Sequence, residues 1–150
     1  MPGDLDVTWR GTERGRFIAP LEAIYCAESR QVELLAIRGD TGVGMALFLP
    51  DSAVVRAMDY PVVPGSQLTE LRPGATVGAR WFATSTITAF EGMTGKVTLS
   101  ETGDALSGTI EAGFKALDRP DTLQVTGSFS QVPIVKADSN CRLVRKRNKM

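Results

Sequence analysis

The chain is poor in residues that do chemistry, and the most informative fact is the total absence of histidine. That removes the usual general base near neutral pH and the commonest metal ligand together. With two cysteines and no histidine, one chain cannot assemble a Cys/His zinc site. A serine–histidine pair is equally impossible, and no G-x-S-x-G motif occurs. Glu22, Glu28, Glu33 and Glu91 offer carboxylates, but nothing in their spacing pairs two of them as glycosidic chemistry requires. Asp118 and Asp121 sit in DRPD, a stretch too short for an EF-hand and read as a turn. Gly39, Gly42 and Gly44 do not spell G-x-G-x-x-G and lead into a strand, so no phosphate cradle is expected there. Arg38-Gly39-Asp40 falls at a predicted hairpin tip, where an adhesion motif would be displayed, yet glycine and aspartate are also what the turn demands. No catalytic residue, metal or cofactor is therefore expected, and the chain reads as a non-enzyme.

Cys26 and Cys141 are the exception. Cys141 follows Asp138-Ser139-Asn140 outside any predicted strand, which argues against a buried core thiol. A Cys26–Cys141 disulfide would close a loop of more than 100 residues. In the chain-entropy account such a link contributes about 4–5 kcal/mol. It would also place the chain in an oxidising compartment.

The elements that must position these residues are strands. Leu5, Val7 and Trp9 alternate with polar neighbours, and Ile24, Tyr25 and Cys26 favour a second strand. VELLAIR and VGMALFL flank GDTG as a hairpin, apolar on both faces, with Leu34 and Ala36 on one side and Leu35 and Ile37 on the other. That pattern predicts cover on both sides. Asp51 could cap one short helix running to Met58, and Tyr60 to Val63 reads as a brief extended piece. Val77 to Phe90 reads as one long strand, bent near Thr84–Thr86 and anchored by Trp81; its threonines suit exposed strand positions.

Three strands with clean alternation close the chain between Lys96 and Ile134. At Gln131–Val132 the inward parity flips, which predicts a bulge or a strand end. Roughly ten strands with little helix define an all-β fold: an antiparallel β-sandwich, or a small β-barrel, with at most one short helix.

A single domain is expected over residues 1–141, followed by a basic tail at 142–150. That tail carries Arg142, Arg145, Lys146, Arg147 and Lys149 and no acid, so the body holds 12 basic against 17 acidic groups. An acidic body argues against a nucleic-acid-binding domain. No apolar run reaches the roughly 20 residues needed to span a bilayer, and Met1 to Arg10 lacks the pattern of a signal peptide.

From Ala46 to Ile134 the order LFLP, Tyr-Pro-Val, VGARW, GKVTLSE, LSGTI, LQVTGSFSQVPI resembles small exported bacterial lipoprotein-type β-domains of unknown function. Trp9, Tyr25-Cys26 and ELLAIRGDTG are similar to such proteins as well. The resemblance implies a β fold at the cell envelope, periplasmic or outer-membrane-associated, although the lipoprotein signal and acceptor cysteine are missing from this sequence. The expected role is structural or interactive, with an unknown envelope or surface protein as partner. The alternative is a small barrel binding an apolar small molecule, with Met45, Trp81, Phe114 and Phe129 lining the cavity. A functional surface is expected on the loops, chiefly Pro64–Gly74 and the Gly39–Gly42 tip.

Overall fold

Alternating apolar and polar residues commit each strand to one inward and one outward face, and one sheet closes around the inward set. The computed structural model describes residues 3–26, 29–50, 55–65, 73–83 and 86–137. Among the described residues nine strands run in chain order: β1 (Asp4–Gly11), β2 (Gly15–Cys26), β3 (Gln31–Arg38), β4 (Thr41–Phe48), β5 (Asp59–Pro61), β6 (Gly74–Ala83), β7 (Thr86–Glu101), β8 (Ala105–Ala116) and β9 (Thr122–Ala137). They are bonded in the order β5-β7-β6-β4-β3-β2-β1-β9-β8, and β7 also pairs with β8. That pairing joins the two ends of the sheet into an eight-stranded barrel. Short β5 lies against Lys96–Thr98 of β7, past the stretch of β7 that pairs with β6.

The all-β, mainly antiparallel class is as expected, but the architecture is the barrel and not the two-layered sandwich. Two 16-residue strands, β7 and β9, make the closure possible. Register shifts fall at Gly92/Thr94 in β7 and opposite Leu106/Gly108 in β9. Such bulges bend a strand and raise its twist, which lets one sheet curl until its edges meet. The β9 bulge coincides with the parity flip read from the sequence, and Gln131 there has a positive φ of 54°. Ser107 seals it: its Oγ accepts the Gln131 N–H at 3.1 Å and donates to Glu101 Oε1 at 2.8 Å.

Past the start of β1, β9 runs directly beside β2 in parallel, with Cys26 opposite Ala137. Gly3 bridges both neighbours at this junction, donating to the Ser130 carbonyl and accepting from the Leu21 N–H.

Eight strands leave a bore just wide enough for side chains. Leu5, Val7, Leu34, Leu47, Ile110 and Val125 fill it, and Met45, Trp81, Phe114 and Phe129 belong to the same buried cluster. These four are therefore buried core residues.

Several expectations change. Val77–Phe90 is two strands, β6 and β7, joined through residues 84–85, which lie outside the described set. The inward parity differs between the two strands, so Thr88 and Phe90 point inward while Ile87 and Ala89 face out. Leu35 is half-buried and Ile37 exposed on the outer wall, without the expected cover, because the N-terminal strand inserts between β2 and β9 instead. Of the proposed helix from Asp51 to Met58, residues 51–54 lie outside the described set and 55–58 are not helical. Among the described residues there is no helix, hence none able to cross a membrane. The GDTG turn is as expected: Gly39, alone of its two central residues, takes a positive φ of 62°, the requirement of a type II′ hairpin.

Candidate functional site

The site begins with the β1–β2 hairpin. Because Leu5, Val7 and Trp9 face inward, Thr8 and Arg10 must face out, and the short turn before Gly15 places Arg14 beside them. On the other flank β9 presents Gln124 opposite Arg10 and Thr126 opposite Thr8. Beyond it β8 presents Lys115. Barrel closure therefore gathers residues more than 100 positions apart onto one wall.

Two hollows open there, of about 640 and 660 Å3. The first spreads over β7, β8 and β9, with Thr94, Lys115 and Thr122 in its lining. The second spreads over β9, β1 and β2, with Thr8, Thr126, Trp9 and Arg16. Arg10, Arg14 and Gln124 belong to both, so the hollows form one groove on either side of the Arg10–Gln124 rung. Glycines 11, 15 and 113 bring no side chain to fill it. Among the described residues no carboxylate lines either half.

Two nearby acids are turned to other work. Asp6 takes a bidentate pair from Arg16, with Nε at 3.0 Å and Nη2 at 2.7 Å. The Arg16 hydrogen bond holds the Asp6 carboxyl below the usual carboxylate range. Glu13, from the hairpin tip itself, accepts from Trp81 Nε1 at 2.9 Å. Among the described residues no ion pair engages Arg10, Arg14 or Lys115. Three cations thus face a groove of hydroxyl and amide groups without a fixed counter-charge.

Beneath the groove an aromatic brace crosses the barrel. Trp9 and Trp81 come from β1 and β6, four strands apart and so on opposite walls, yet their rings stack at 4.2 Å. Phe90 continues the stack at 4.7 Å from Trp81. Trp9 lies flat over its cross-strand partner Gly15, where a Cβ would sit 2.2 Å from the indole. The hairpin is thereby fixed twice, by Trp9 on Gly15 and by Glu13 on Trp81. Trp9 Nε1 is buried and has no hydrogen-bond partner among the described residues. A buried donor left so costs about 1–3 kcal/mol, and the residue that carries it is part of the lining of the second hollow. Gly15→Ala is expected to displace the Trp9 ring and cost about 1–3 kcal/mol by overpacking, read as a changed near-UV dichroism spectrum and a lower urea midpoint.

The residues singled out from the sequence go elsewhere. Glu22 faces Leu35 and Glu33 faces Ile24, so neither opposes the other across β2–β3. Glu91 accepts the Gly65 N–H at 2.8 Å, and Glu28 lies outside the described residues. In DRPD, Arg119 meets Asp121 at 2.8 Å and reaches in to donate to buried Thr88. Among the described residues no cluster of three or more acidic or cysteine side chains could hold a metal ion. Arg38-Gly39-Asp40 does occupy a hairpin tip, away from the groove. Residues 66–72 of the Pro64–Gly74 loop lie outside the described set. Cys26 is fully buried at the end of β2, and Cys141 lies outside the described residues, so their pairing is not described.

A third hollow of about 520 Å3 opens on the far wall over β3, β4, β6 and β7. Gly42, Gly44 and Gly78 form its floor, and Leu35, Ile37 and Ala89 its apolar rim. Sequence reading passed over the basic groove, although the alternation already put Arg10 and Lys115 on outward positions. Comparison with protein-family models, curated proteins and solved structures gives no match for this chain.

Proposed function

We propose that this barrel is a non-catalytic binding module that takes a small anionic ligand on its outer wall. One observation carries the reading: a groove edged by Arg10, Arg14 and Lys115, with no lining carboxylate among the described residues, on a body whose acidic groups outnumber its basic ones. A local positive field on such a body marks where anions are drawn. Guanidinium forks match oxyanions, and charge-assisted bonds to them are the strong kind. The groove holds donors and no nucleophile beside a base, which favours binding over catalysis. Four strand spacings, roughly 19 Å, suit a small ligand better than a length of nucleic acid.

A sulfonated fluorescent dye at low ionic strength tests the reading. The double change Arg10→Ala with Arg14→Ala is expected to weaken binding at least tenfold, at about 1.5–3 kcal/mol per charged hydrogen bond, with the urea midpoint nearly unchanged. Equal affinity in both proteins would sink it.

An apolar small molecule is the second reading, favoured by the barrel fold and by the third hollow. Gly44 has room there, since a Cβ would meet the Leu35 side chain at 3.6 Å and the Leu34 carbonyl oxygen at 4.0 Å, both ordinary contacts. Gly44→Leu should fill the hollow and abolish binding of an apolar fluorescent probe; unchanged probe binding would count against this site.

We place the module outside the cytoplasm, at a bacterial envelope with a surface partner, in keeping with the lipoprotein-type resemblance. A Cys26–Cys141 disulfide is part of that proposal. Cys26 is buried at the end of β2, and the register sets Ala137, four residues before Cys141, directly beside it. A disulfide needs Cα atoms only about 4.4–6.8 Å apart, well within the reach of four residues.

A further inference from the structure

We infer that the groove takes a ligand with two or more linked phosphate groups, one in each hollow, laid across the Arg10–Gln124 rung. The inference rests on the anion-binding reading and adds the ligand's valence and span. Each hollow exceeds 600 Å3, which is the size of an organic ligand site and far too roomy for one inorganic anion. One hollow centres on β8–β9 and the other on β1–β2, two strand spacings or roughly 10 Å apart.

The sharing of residues decides the valence. Arg10 and Arg14 line both halves, so two separate anions would draw on the same two guanidinium groups. Covalent linkage removes that competition, because one molecule uses both forks at once and the second group binds intramolecularly. Each half also has its own donors: Lys115 and Thr94 in one, Thr8 and Thr126 in the other. The lining is rich in donors. Phosphate, with more acceptor oxygens than carboxylate, answers it best.

The test titrates the full chain, by calorimetry and tryptophan fluorescence, with orthophosphate, pyrophosphate, tripolyphosphate and a longer linear polyphosphate. Affinity is expected to climb with chain length and then level off, the longest binding at least about 100-fold more tightly than orthophosphate, within the usual gain from linkage. Arg10→Ala or Arg14→Ala should erase most of that gain, and Lys115→Ala should lower long-chain affinity while sparing orthophosphate. Arg10→Lys, which keeps the charge and loses the fork, should fall between, and urea midpoints close to the parent's certify the folds.

Three results overturn the inference, and they are distinguishable. Groove-dependent binding of orthophosphate with no gain from linkage leaves the anion reading standing and removes the span. Binding of long chains that ignores Arg10 and Arg14 assigns them to the basic tail at 142–150. No binding of any phosphate, together with a dye that ignores Arg10 and Arg14, removes both readings.

Discussion

Trp81→Ala is expected to lower the unfolding free energy by about 3–5 kcal/mol, the usual range for deleting a buried tryptophan. This one is almost fully buried and stands in the middle of the Trp9–Trp81–Phe90 stack. Its removal leaves a cavity where the two opposite walls meet, and about 0.5–1.5 kcal/mol of aromatic pairing is lost with each neighbour. It also leaves Glu13 without its donor. Trp81→Phe separates these contributions. A phenyl ring keeps a stack and fills most of the volume but cannot donate, so its cost should be near the 1.5–3 kcal/mol of a hydrogen bond to a charged group. Since Glu13 tethers the hairpin that presents Arg14, Trp81→Phe should weaken anion binding more than its stability loss alone would suggest. Urea unfolding of both variants beside dye binding makes the check. A Trp81→Ala cost below about 1 kcal/mol would mean that the brace does not hold the barrel.

The two parts of that argument were unequally visible in the sequence. Inward positions of the three C-terminal strands follow from alternation: Leu106, Ile110, Phe114, Leu123 and Val125 are all buried. Even the β9 bulge announced itself, because a strand with one buried face cannot change parity without an extra residue. The β6–β7 turn gave no such sign. Residues 84–85 are Thr and Ser, flanked by Ala and Thr, without the glycine, proline or asparagine that usually marks a reversal. Small residues on both sides also made the wrong parity look consistent.

The groove was hidden for a different reason. Alternation told which way Arg10, Gln124 and Lys115 point, but not that their strands are neighbours. That depends on β1 inserting between β2 and β9, a pairing between positions more than 100 residues apart. Local pattern fixes the face of a residue, and only closure fixes its company. For the same reason Trp81 read as a core anchor, while its meeting with Trp9 and Glu13 could not be read at all.

Breaking the proposed Cys26–Cys141 link should be as costly as losing Trp81, and by an independent route. The loop it would close exceeds 100 residues, so the chain-entropy account assigns it about 4–5 kcal/mol. For a chain of this size each kcal/mol moves the melting point by about 2–4 °C, which gives a fall of roughly 8–20 °C. Cys141→Ser is the cleaner variant, because Cys26 is buried and a hydroxyl there would add its own penalty. The parent under reducing conditions and Cys141→Ser should then melt together, and a reductant should leave the variant's melting point where it was. The geometry gives the link a second role. Cys26 and Ala137 are opposed where β2 and β9 zip together past the start of β1, so a covalent bond just beyond would clamp the seam that holds β1 in the wall. Its loss should therefore speed amide exchange in β1 and the end of β9 before it touches β3 and β4. Alkylation without reductant decides the premise directly: two modified thiols in the intact mass would remove the disulfide, and with it the main physical argument for an oxidising compartment.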